Sequence, residues 1–125
     1  METLPCSAIV YRAMARKDWI DPVSGTVLPG AFIRRPAPKD EDGLSLDVDG
    51  ASSCARALNK CFGVASLHVG RIRDIGLDVI VDDRPHASIR GVPRTADDKL
   101  NAERIASQLA RKARLVPPAQ HQPAE

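Results

Sequence analysis

The stretch from Val64 to Gly91, "VASLHVGRIRDIGLDVIVDDRPHASIRG", constrains the fold more than any other part of the chain. "VASLHV", "LDVIV" and "HASIR" read as three strands, rich in Val, Ile and Leu. Only "GRIRDIG", a turn or single helical turn ending at Gly76, and "DDRP" separate them. A doubly wound parallel sheet needs a crossover helix between most of its strands, and these connections are too short to hold one. The sheet is therefore expected to be mostly antiparallel or mixed.

Two further strands lie upstream. In "CSAIVYRAM", Val10, Arg12 and Met14 point one way and Ile9, Tyr11 and Ala13 the other. In "GLSLDVD", Leu44, Leu46 and Val48 alternate with Ser45, Asp47 and Asp49, which makes one face apolar. Between these strands, "VLPGAFIRRPAP" reads as a loop with a short extended piece at Phe32, because its prolines block regular structure. Asp40 to Gly43 read as a solvated acidic turn.

Two helices complete the pattern. In "ASSCARALNKCFG", Cys54, Ala55, Leu58, Cys61 and Phe62 recur at helical spacing, and Gly63 is placed to end the helix. The longer helix is expected over "DDKLNAERIASQLARKARL", with Thr95 and Asp98 as cap and third position and Leu100, Ile105, Leu109 and Ala113 turned inward. The expected fold class is α+β: a single domain over residues 1–116, about five strands, two helices with the C-terminal one longest, and a disordered tail at 117–125.

Composition narrows the function classes. With 43% hydrophobic and 27% charged residues the chain is globular rather than disordered. Tyr11, Trp19, Phe32 and Phe62 are its only aromatics, which argues against a stacking platform for single-stranded nucleic acid. A net charge of +2, from 18 basic and 16 acidic residues, gives no general attraction for nucleic acid. No apolar run reaches the ~20 residues of a membrane span. No secretory signal is evident, and the odd set Cys6, Cys54 and Cys61 fits reduced thiols in a cytoplasm.

No phosphate-binding glycine motif occurs. Cys54, Cys61 and His68 are too widely spaced for a zinc site, since seven helical residues rise about 10.5 Å. The row His86, Ser88, Arg90 stands out instead. On a strand these side chains share one face, with Ala87 and Ile89 on the other. His86 can move a proton near neutral pH and Arg90 can clamp a phosphate or carboxylate. Neighbours in the row stand about 6.8 Å apart, a span suited to a ligand rather than to mutual contact. Arg12, on the apolar face of its strand, needs a partner, and Asp47 and Asp49 are candidates.

"VYRA", "GLSLD" and "PHASIRG" together resemble the small ADP-ribosyltransferase-like domains, including the RES-type toxins that attack NAD. The resemblance covers these three short stretches. It implies a split antiparallel sheet and NAD, or another phosphorylated ligand, in a cleft. Arg12 would hold the dinucleotide, Ser45 would orient nicotinamide, and His86 would join them as a catalytic residue, with Ser88 and Arg90 on the ligand. The family's late-strand glutamate has no counterpart, since Glu2, Glu41, Glu103 and Glu125 all lie off the predicted strands. A second reading is a non-catalytic interaction module whose C-terminal helix or sheet edge meets a protein partner.

Overall fold

The computed structural model describes residues 2–36, 39–50 and 61–116. One antiparallel sheet organises them. Its strands are β1 (Glu2–Thr3), β2 (Ile9–Ala13), β3 (Leu44–Asp47), β4 (Val64–His68), β5 (Asp78–Asp83), β6 (His86–Arg90) and β7 (Arg114–Leu115). In space they run β1-β5-β6-β3-β2-β4-β7. The class is α+β, and the sheet has seven strands rather than about five. The additional strands β1 and β7 are two residues long, too short to show alternation in sequence.

Helix α1 (Val69–Arg73) is the single turn expected in "GRIRDIG", and α2 (Lys99–Lys112) is the long C-terminal helix. Asp98, rather than Thr95, caps α2: its side chain accepts a hydrogen bond from the Asn101 N–H. The helix releases the chain at Ala113, so Arg114 and Leu115 pair with β4 instead of extending it. Leu100 is 83% exposed, against expectation, because it stands five positions from Ile105 and falls on the opposite side of the helix. The helix expected over Cys54 and its neighbours lies outside the described residues across 51–60; its expected last residues, Cys61 and Phe62, are not helical, and Phe62 is 51% exposed. The tail, 117–125, also lies outside the described residues. Among the described residues, no helix is long and apolar enough to cross a membrane.

Period-two alternation builds the core. Val10 and Met14 of β2 and its end, Leu44 and Leu46 of β3, Leu67 of β4, Val79 and Val81 of β5, and Ala87 and Ile89 of β6 are buried. Ile105, Ala106, Leu109 and Ala110 of α2 join the same cluster. A 3-10 turn, Pro29–Phe32, with proline at its start, packs against α2. Phe32 closes this turn, fully buried, rather than sitting in an extended piece. Burying a side chain of that size contributes about 1.5–3 kcal/mol.

Arg12 faces this core and is 2% exposed. Its Nε donates to the Ala31 carbonyl at 2.6 Å and its Nη1 to the Ser45 carbonyl at 2.8 Å. Nη2 lies 3.6 Å from Asp40 Oδ2, and the guanidinium sits 5.4 Å above the Trp19 ring. Asp47 is not the partner, because its pairing with Tyr11 places it on the other face of the sheet. Asp49 lies beyond the end of β3, and the charge that reaches Arg12 is that of Asp40. Burial pushes the Arg12 pKa down to about 10, against the opposing pull of Asp40, so it remains charged at neutral pH.

Asp40 is itself buried, so the acidic turn is not a solvated one. Its carboxylate accepts from the Arg35 N–H (2.9 Å), Arg35 Nε (3.0 Å), Arg35 Nη2 (3.1 Å) and the Ser45 N–H (3.0 Å). Its carbonyl accepts from Arg34 Nε and Nη2 and from Arg94 Nη2. Burial opposes the charge. The hydrogen bonds from Arg35 and Ser45 and the charge of Arg12 outweigh it, and hold the Asp40 pKa well below the ordinary carboxylate range.

Replacing Asp40 by Ala leaves the buried Arg12 guanidinium uncompensated, and should lower unfolding free energy in urea by about 3–5 kcal/mol. Because the folded-state pKa is depressed, the contribution of Asp40 is present above its unfolded value of about 4 and is lost as pH falls toward the folded value. The stability gap between wild type and Asp40→Asn should therefore be widest near neutral pH and shrink below about pH 4.

Candidate functional site

The site begins in the hairpin of β5 and β6, closed by a turn containing the cis Arg84–Pro85 peptide. Val79 pairs with Ile89 and Val81 with Ala87, all facing the core, so His86, Ser88 and Arg90 share the opposite face. The register then slips: Asp83, not Asp82, pairs with His86. Asp82 is the extra residue of a β-bulge, a device that re-aims a side chain. Here it brings the carboxylate onto the His86 and Ser88 side chains.

Asp82 joins the whole row. Its Oδ1 lies 2.5 Å from His86 Nδ1, its Oδ2 accepts from Ser88 Oγ at 2.7 Å, and Arg90 Nη2 stands 3.6 Å from the same Oδ2. His86, Ser88 and Arg90 are thus linked through one carboxylate. Burial would raise the Asp82 pKa, but the hydrogen bonds from Ser88 and His86 outweigh it and hold the group below its ordinary value. An ionised carboxylate only accepts, so His86 carries a proton on Nδ1. In the neutral ring Nε2 is then an acceptor, and it faces Ser45 Oγ at 3.2 Å. The result is a serine–histidine–aspartate chain, Ser45–His86–Asp82.

Ser45 reaches this position because β3 pairs with β6. Ser45 stands opposite Ser88, and Asp47 opposite His86, so Ser45 and His86 are diagonal neighbours. The start of β3 comes in very close. At Gly43, with φ of +155°, an added Cβ would sit 2.1 Å from the Ile89 carbonyl oxygen.

A cleft of about 320 Å³ opens over Ser45, His86 and Ser88, walled by Arg35, Lys39 and Asp40 of the preceding loop. Glu41, Asp42 and Gly43 complete its rim. Arg12 stands behind it rather than in it. Strand alternation turns its side chain to the core, and it meets the cleft only through the Asp40 carboxylate and the Ser45 carbonyl. Ser45, His86 and Ser88 are therefore brought together, Arg90 is joined to them through Asp82, and Arg12 is held apart. Asp82 is the residue that sequence reasoning missed; the sequence offers Arg35 and Lys39, with Arg34, only as a basic cluster for nucleic acid. The signal for Asp82 was local: a hairpin closed at "DDRP" places its aspartates opposite His86.

A larger groove, of about 480 Å³, runs between Gly25–Pro29 and the end of α2, lined by Val27, Ala110, Ala113 and Leu115 beside Arg111 and Arg114. It holds no acid–base pair, whereas Ser45 and His86 line the smaller cleft and Asp82 backs His86. No family model, curated protein or solved structure matches the chain.

Replacing Gly43 by Ala forces β3 away from β6, because the obstacle is backbone. It should cost about 2 kcal/mol or more in thermal or urea unfolding. In the same variant, the His86 ring signals in an NMR spectrum should move as the Ser45 contact opens.

Proposed function

We propose that this chain handles a small phosphorylated molecule, a sugar phosphate or nucleotide such as the ADP-ribose part of NAD, in the cleft over Ser45 and His86. The observation that carries this reading is that two cations, Arg35 and Lys39, line the same cleft as Ser45, Ser88 and His86. A guanidinium and an ammonium supply charge-assisted hydrogen bonds to phosphate oxygens. The rim carboxylates of Glu41 and Asp42 are acceptors for sugar hydroxyls. In this reading Arg35 takes the anion-binding role that the resemblance gives to Arg12. Arg12 serves it by holding Asp40, on which Arg35 is seated.

The second reading, an interaction module, has its own observation: the larger groove beside α2 presents Val27, Ala110, Ala113 and Leu115. A partner there would leave the cleft untouched.

Calorimetry with NAD, ADP-ribose, ribose 5-phosphate and inorganic phosphate decides the first reading. At least one phosphorylated compound should bind. Lys39→Ala should weaken it about tenfold, equivalent to about 1.4 kcal/mol, with unchanged melting temperature. The reading fails if none of the four binds, or if binding is indifferent to Lys39.

A further inference from the structure

The geometry points to Ser45 as a nucleophile that takes a phosphoryl group from a phosphate ester, with His86 as its general base and Asp82 as the positioning residue for His86. This rests on the reading of the cleft as a phosphate site, and adds the reaction to it. Three observations support it together. Ser45 Oγ lies 3.2 Å from His86 Nε2, within reach for proton transfer. Asp82, 2.5 Å from the other ring nitrogen, fixes the tautomer that leaves Nε2 able to accept. Ser88 in turn holds the second oxygen of Asp82, so the carboxylate cannot rotate away from the ring.

The environment of Ser45 selects phosphorus over an acyl carbon. Acyl transfer draws on backbone N–H donors for its oxyanion. The Ser45 N–H is already given to Asp40 Oδ1 at 3.0 Å. The donors that face the cleft are instead the side chains of Arg35 and Lys39, which suit the charge spread over the oxygens of a transferring phosphoryl group.

The step balances without a further cofactor. Ser45 Oγ attacks phosphorus and its proton passes to His86 Nε2. The phosphorus–oxygen bond to the leaving alcohol, in line on the side away from Ser45, breaks, and that alcohol takes a proton from solvent. Water then attacks the phosphoserine phosphorus from that open side and gives its proton to solvent. The bond to Ser45 Oγ breaks, and the hydroxyl recovers its proton from His86 Nε2.

Bis(4-nitrophenyl) phosphate incubated with the full chain tests this. The expected result is a burst of one 4-nitrophenolate per chain, with a matching mass adduct that peptide mapping places on Ser45. Ser45→Ala should give neither, and His86→Gln should slow the burst by about a hundredfold or more. Asp82→Asn should slow it with unchanged melting temperature. It should leave the ester concentration at half-saturation unchanged, which a merely structural loss would also move. No adduct on the wild-type protein, an adduct on another residue, or a burst indifferent to His86→Gln overturns the proposal. Inorganic phosphate binding to Ser45→Ala separates the two readings. Binding with no wild-type burst sinks the nucleophile and keeps the phosphate site. A Ser45 adduct with no phosphate binding sinks the phosphate site and keeps the nucleophile.

Discussion

The buried charge of Asp40 is the constraint on which the rest of the structure depends. A carboxylate out of water is tolerated only when its oxygens are filled. Here the filling comes from an arginine on β2, an arginine in the adjoining loop and the backbone at the start of β3. Its carbonyl collects two more arginines, Arg34 and Arg94. Arg94 also binds the Arg35 carbonyl at 2.6 Å, and Arg34 binds the Val92 carbonyl at 3.1 Å. One aspartate thereby fastens Arg34, Arg35 and residues 39–43 to the sheet and to the segment before α2. Asp40 adopts the left-handed backbone, with φ of +49°, a conformation aspartate tolerates better than most residues. Arg34 and Arg35 look like a basic patch in sequence, but in the structure they hold this loop.

The legible part of the fold is the part governed by short-range pattern. Alternation assigns the buried faces of β2, β3, β5 and β6 from single residues, because a strand has a strict period of two. The C-terminal helix follows from its alanines and leucines. Strand order is not local, and nothing in "GLSLD" announces that β3 lies between β6 and β2. The two-residue strands β1 and β7 are too short to carry a pattern. Leu100 counts as a core residue only if its spacing from Ile105 goes unchecked.

The candidate site divides in the same way. His86, Ser88 and Arg90 stand out by themselves, and Asp82 is implied by the hairpin that contains it. Ser45 lies 41 positions from His86 and is found by β3–β6 pairing, which is a property of the sheet. Arg12 misleads for a physical reason. An arginine in an apolar strand reads as chemistry waiting for a ligand, but Asp40 is drawn to it from a distant turn and satisfies it inside the protein.

The bulged hairpin also has a consequence for the order in which the molecule assembles. His86 and Asp82 are four residues apart and belong to one local element, of a kind that closes in microseconds. Ser45 joins them only when a distant strand docks, and it must dock in one register. A slip of a single residue between β3 and β6 would turn Ser45 into the core and present Leu44 or Leu46 to His86. The three-residue chain therefore acts as a proofreader of the central sheet, complete only in molecules whose strands have found their correct partners.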